Sequence, residues 1–79
     1  MKTYKTKDFY LAALLMCKGF RLIGSNKEPN AVYFHIEYSN ETRLNELIND
    51  FVNYEAYVNL GKLVKMQSML RRELDKYRK

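Results

Sequence analysis

Thr6-Lys7-Asp8-Phe9-Tyr10-Leu11-Ala12-Ala13-Leu14-Leu15-Met16-Cys17-Lys18-Gly19 is the stretch on which the fold turns. It reads as one helix, apolar on nearly every side. Thr6 is placed to act as N-cap, accepting a hydrogen bond from a free backbone N–H of the first turn. Asp8 follows in that turn, where the positive end of the helix dipole favours a carboxylate. Lys18 falls in the last turn and Gly19 just past it, at the left-handed stop position. A helix apolar all round needs cover all round. The stretch therefore predicts a central core helix, or one shared with a second subunit. It carries no chemistry of its own.

Beyond Gly19 the pattern changes from helical to alternating. Phe20 and Leu22 fall on one face of a short strand, Arg21 and Ile23 on the other. Gly24-Ser25-Asn26-Lys27-Glu28-Pro29-Asn30 then gathers turn-forming residue types and predicts a loop longer than the tight two-residue kind. A second strand follows, with Val32, Phe34, Ile36 and Tyr38 on one face and Ala31, Tyr33, His35 and Glu37 on the other. The two runs read as an antiparallel hairpin whose aromatic and β-branched face packs on the first helix.

Ser39 or Asn40 caps the next helix. There Leu44, Leu47, Ile48, Phe51 and Val52 recur at helical spacing on one face, and Asn53 ends the run. Tyr54 to Val58 reads as a short third strand or as an extended connector. Asn59 caps a last helix over roughly residues 60–76. At about 100° per residue, with Lys62 at zero, Met66, Tyr77, Leu70, Leu63, Leu74, Leu60 and Val64 span about 40° to 200°. That arc is the expected core face. Lys62, Lys65, Arg72, Lys76 and Lys79 make a basic stripe on the opposite side.

The expected architecture is a single α+β domain over residues 1–79, ordered helix–β-hairpin–helix–(short strand)–helix. Its expected core is Phe9, Leu11, Ala12, Leu14, Leu15, Phe20, Leu22, Val32, Phe34, Ile36, Leu44, Leu47, Ile48, Phe51, Leu63, Leu70 and Leu74. An apolar content of 47% is that of a globular chain rather than a disordered one. The lone Cys17 excludes an internal disulfide and a Cys-rich zinc site, and its apolar surroundings predict a buried structural thiol. Lys2, Lys5 and Lys7 imitate the start of a signal peptide. Asp8 interrupts the run, however, and Phe9–Cys17 falls far short of the ~20 residues that span a bilayer. A cytoplasmic protein without membrane contact is expected.

The net charge of +5 is unevenly spread. Residues 1–18 carry +3, residues 19–61 carry −3 and residues 62–79 carry +5. Basic ends around an acidic middle favour an anionic partner or a self-complementary contact. Catalysis finds no constellation here. His35 is the only histidine and has no orienting partner in its motif. Ser25, Ser39 and Ser68 lack a glycine elbow. Gly24-Ser25-Asn26-Lys27 is no phosphate loop, and the acidic residues lack metal-ligand spacing. No enzyme, metal or cofactor is expected.

Thr6-Lys7-Asp8-Phe9-Tyr10-Leu11-Ala12-Ala13, Gly19-Phe20, Tyr33-Phe34-His35-Ile36-Glu37 and Leu70-Arg71-Arg72, taken together, extend over most of the chain. This pattern resembles an uncharacterised family of short prokaryotic and viral domains, a domain of unknown function. The resemblance implies a small stand-alone bacterial, archaeal or mobile-element protein. It brings no activity, ligand or catalytic residue.

Two functions follow as expectations. The first is a small non-enzymatic binding or adaptor protein, partnered by another protein or by itself as a homodimer. The second is a nucleic-acid-binding accessory protein using the basic last helix, with Lys62, Lys65, Arg72 and Lys76 on phosphates and Tyr33 as aromatic contact. The seven tyrosines suit either, since tyrosine offers rigid contact area with a polar tip. What separates the two is whether the tail stripe and the basic N-terminus share one surface.

Overall fold

The computed structural model describes residues 1–78 and contains, in order, β1 (Lys2–Thr6), α1 (Phe9–Cys17), β2 (Arg21–Glu28), β3 (Ala31–Tyr38), α2 (Glu41–Val52) and α3 (Leu60–Asp75). The α+β class stands, but the expected element order does not. The first element is a strand. Lys2–Thr6 pairs antiparallel with β3, in a sheet ordered β1-β3-β2. Thr6 therefore ends a strand instead of capping a helix. Its hydroxyl accepts the Asp8 N–H at 3.1 Å, and Asp8 takes the cap, accepting from Tyr10 and Leu11 at 3.0 Å each. One residue type did double duty in the expectation: threonine suits an N-cap and a strand equally.

The expected long hairpin loop is also corrected. β2 continues to Glu28, opposite Ala31, so only Pro29 and Asn30 make the turn. Gly24, Ser25 and Asn26 lie within an edge strand, where weak strand formers are tolerated. A bulge between Leu22 and Gly24 takes up the register, leaving Ile23 about half exposed. Nor does Tyr54–Val58 form a strand. It is a connector that turns Ala56 and Val58 against the core.

α1 packs on the sheet face that carries Phe34 and Ile36, both buried, and α2 and α3 pack on α1. α1 lies at the centre and packs against every other element, most extensively α3. Every residue from Leu11 to Cys17 is buried. The helix that is apolar all round is thus covered by its own chain, and needs no second subunit to cover it. Each expected core residue is either buried or packed against the buried cluster, which also takes in Ala13 and Met16, with Tyr4 packed against it. Cys17 is buried as expected; burial pushes its thiol up, while Lys62 and Lys18 pull it down less. Among the described residues, no helix is long and apolar enough to cross a membrane.

α3 departs from expectation on its flank. The buried side centres on Leu70, with Leu63, Met66, Leu74 and Tyr77 only partly exposed beside it. Leu60 and Val64, assigned to the core arc, are 73% and 53% exposed. They stand at about 160° and 200° of that arc, past the edge of what α1 covers. Met69 is 42% exposed within the basic stripe. The helix is held at its far end by a polar latch. Glu73 accepts hydrogen bonds from Ser25 of β2 and from Lys76, and Tyr77 bonds Ser25 at 2.7 Å.

Candidate functional site

Two helices of this domain end in the same backbone device. After α1, the Gly19 N–H donates to Met16 C=O and the Phe20 N–H to Leu15 C=O, both at 3.1 Å. After α2, the Tyr54 N–H donates to Phe51 C=O at 3.2 Å and the Glu55 N–H to Asp50 C=O at 2.8 Å. Both are Schellman closures, which put the residue after the cap in the left-handed region. Gly19 adopts it at φ 97°, at no steric cost. The second site holds Tyr54, at φ 60° and 96% exposed. A bulky aromatic residue in this conformation is an outlier, and such outliers gather at functional positions.

Tyr54 opens a run of exposed apolar side chains. Val52, Tyr54, Tyr57, Leu60 and Val64 are all exposed, and they occupy the end of α2, the connector and the first turns of α3. Phe51, Val52, Tyr54 and Ala56 line an open hollow of about 500 Å³. The connector between them is anchored. Lys18 Nζ donates to the Tyr57 carbonyl at 2.7 Å, Ala56 and Val58 pack inward, and Asn59 caps α3 by accepting from Lys62 N–H at 3.0 Å. The apolar side chains thus project from a pinned backbone.

The residues singled out in the sequence fall elsewhere. Lys62, Lys65 and Arg72 are exposed on α3, and Lys76 is exposed at its C-cap. Lys76 is engaged by Glu73 at 2.9 Å. The other three make no ion pair among the described residues; Lys79 lies outside them. Tyr33 sits on the sheet face turned from the core, opposite Asn26, and is half-buried. Its neighbours there are His35, whose Nε2–H donates to Asn26 Oδ1 at 2.5 Å, and Lys5, paired with His35 from β1. α3 is latched to β2 on the helix side of the sheet, whereas Lys5 projects from β1, the opposite edge, on the other side. Tyr33 and Lys5 are therefore not brought onto one surface with the α3 stripe, whereas Lys18, also from the basic first segment, lines a hollow with Lys62.

A model of the family described as a domain of unknown function, DUF5659, matches residues 1–76. The chain belongs to that family. Neither the curated proteins nor the solved structures yield a match. The family brings no assigned activity, so the reading of the site rests on its geometry.

Sequence reasoning missed the exposed run because its residues look like core. Leu60 and Val64 share helical spacing with buried Leu63 and Leu70, and Tyr54 alternates with Ala56 and Val58. One signal was present: a tyrosine directly after the helix-ending Asn53, where glycine is usual.

Proposed function

We propose that this DUF5659 chain is a non-catalytic protein-binding module, and that residues 52–64 are its contact surface. One observation carries the proposal: five large apolar side chains stand exposed between the end of α2 and the first turns of α3, two of them tyrosines on the anchored connector. Scattered exposed apolar residues are ordinary, but a run of them on one pinned segment marks an interaction surface. Tyrosine is enriched at such contacts, because its ring buries while its hydroxyl reaches water. The groups best suited to chemistry are otherwise occupied. His35 is held by Asn26, Glu73 is held by Ser25 and Lys76, and the Cys17 thiol is buried.

The test is a photo-crosslinking residue placed at position 57, with a second at position 5 on the far sheet edge as control. In cells expressing the full chain, position 57 is expected to yield a protein adduct of discrete mass and position 5 none. No discrete adduct from position 57 would remove the proposal.

Nucleic-acid contact by α3 is the second reading. It rests on Lys62, Lys65 and Arg72, which are exposed and make no ion pair among the described residues. The separation of this stripe from Lys5 and Tyr33 makes its footprint narrow, which is why the protein-binding reading ranks first.

A further inference from the structure

Cys17, Lys18, Tyr57, Val58, Asn59 and Lys62 line one open hollow of about 340 Å³, where the end of α1 meets the connector and the first turn of α3. Its charge is one-sided. Lys18 and Lys62 reach it from different elements, and no carboxylate lines it. Neither lysine makes an ion pair among the described residues. The Cys17 thiol does not supply the missing anion. Both lysines stand near enough to act on it, but burial pushes it up by more than they pull it down, so it stays protonated at neutral pH.

The donors are free to take a ligand. Lys18 is half-buried, and the Tyr57 carbonyl at 2.7 Å occupies one of its three ammonium N–H groups, leaving two. Asn59 Oδ1 already accepts the Lys62 N–H at 3.0 Å, so the attraction rests on the two side-chain ammonium groups and not on the start of α3. Two like charges beside one hollow repel each other, and an anion between them reverses the sign of that interaction. We propose that the hollow takes a carboxylate side chain from an acidic segment of the partner protein, with the exposed Tyr57 ring against that segment; the inference rests on the protein-binding reading above. Charge complementarity selects this occupant. Val58 adds an apolar wall beside the two cations, which suits a peptide. Glu55, two residues before Tyr57, disfavours the continuous charge of a nucleic-acid backbone more than a single carboxylate.

The probe is the blocked dipeptide acetyl-Glu-Glu-amide, with acetyl-Gln-Gln-amide as uncharged control. Each is titrated into the isotope-labelled chain while amide chemical shifts are followed. The expected result is weak, saturable binding of the Glu peptide, with the largest shifts at Lys18, Tyr57, Val58, Asn59 and Lys62, and none with the Gln peptide. Lys62→Gln and Lys18→Gln are each expected to raise the dissociation constant about two- to fivefold, and together to remove saturable binding. Lys65→Gln, outside the hollow, is expected to leave it unchanged. Circular dichroism checks each fold; Lys62 is exposed, so Lys62→Gln decides if Lys18→Gln fails to fold. No saturable binding, largest shifts at Lys65 and Arg72, or equal losses from Lys65→Gln and Lys62→Gln overturn the proposal, because the hollow then has no attraction of its own. In cells, the adduct from position 57 should resist nuclease and fade when Lys18→Gln and Lys62→Gln are combined. An adduct undiminished by both keeps the protein-binding reading and overturns the acidic segment. An adduct removed by nuclease overturns it in favour of nucleic acid. No adduct at all removes the protein-binding reading and the partner's segment with it.

Discussion

Residues 9–17 and residues 52–64 both crowd large apolar side chains together, but the domain covers only the first run. α1 is enclosed by the sheet, α2 and α3, and closes on a glycine that accepts left-handed geometry freely. The second run closes its helix on a tyrosine in that same geometry and turns its rings outward. The two C-terminal closures share their hydrogen bonds and differ in the residue at the left-handed position. The difference teaches that apolar content alone does not mark core. The core run is recognisable because every neighbour along the helix is also buried. In the second run, buried and exposed apolar residues alternate: Ala56 and Val58 pack inward while Tyr54, Tyr57 and Leu60 point out.

The largest effect should come from treating the two runs alike. Leu15, with no exposed surface, lies at the middle of α1. Leu15→Ala is expected to destabilise by about 2–5 kcal/mol, a large share of the ~5–10 kcal/mol typical of a small domain. Leu60→Ala is expected to change stability by no more than about 0.5 kcal/mol. Urea denaturation at low protein concentration, where association does not contribute, measures both. Comparable losses at the two sites would erase the contrast between a core run and a surface run.

The latch at the far end of α3 gives the next effect, and its pH dependence has a definite sign. Hydrogen bonds from Ser25 and Lys76 hold the Glu73 carboxyl below its ordinary value of 4.5. A carboxyl lowered in the folded state stabilises the fold above its unfolded value. That contribution is lost as pH falls through the folded value, so the window lies below about pH 4.5. Glu73→Ala is expected to cost about 1–3 kcal/mol at neutral pH, since it strands Ser25 and removes a charged acceptor. The gap to wild type should narrow on acidification through that window. A gap independent of pH would mean that Glu73 acts through packing alone.

Much of this fold was legible before the structure, for identifiable reasons. The glycine stop at Gly19, the alternation of Val32, Phe34 and Ile36, and the caps Asn40 and Asn59 each have a local cause, and each stands where expected. β1 was not legible, because Lys-Thr-Tyr-Lys-Thr acquires strand geometry only by pairing with β3, which is distant in sequence. Gly24-Ser25-Asn26 looked like a loop for the same reason; pairing with Tyr33, Phe34 and His35 overrides local preference. The candidate site was the least legible part. Exposure of Leu60 and Val64 depends on how far α1 reaches along α3, a tertiary fact that no periodicity contains. The basic stripe was visible, but its separation from Lys5 depends on the strand order.

Tyr54 sharpens the comparison further, because stability and partner contact should move in opposite directions. Tyr54→Gly relieves left-handed strain and loses almost no buried contact. The expected gain is a few tenths to about 1 kcal/mol, net of the backbone entropy that glycine adds to the unfolded chain. The same substitution removes an aromatic ring from the proposed contact surface, so the yield of the protein adduct from position 57 should fall. Thermal melting and photo-crosslinking from position 57 report the two. A variant that is both more stable and equally crosslinked would leave Tyr54 without a role in contact.

The smallest expected effect on stability belongs to the α3 stripe, and it decides the second functional reading. Lys65 and Arg72 are exposed and make no ion pair among the described residues, so Lys65→Glu with Arg72→Glu should move stability by no more than about 0.5 kcal/mol. Their influence, if they meet phosphates, lies in binding. Each phosphate they neutralise releases counterions, so losing both contacts should weaken binding and flatten its salt dependence by roughly one unit of slope per contact. Fluorescence anisotropy with labelled single- and double-stranded oligonucleotides at several salt concentrations reads this out. The narrow footprint implies a shallow slope for the wild type, set by α3 and the neighbouring Lys18. A steep slope that also falls with Lys5→Glu would place β1 and α3 on one nucleic-acid path, against the geometry that separates them. Absence of wild-type binding at ~50 mM salt, where phosphate contacts are strongest, would end the nucleic-acid reading and leave the stripe a solvated helix face.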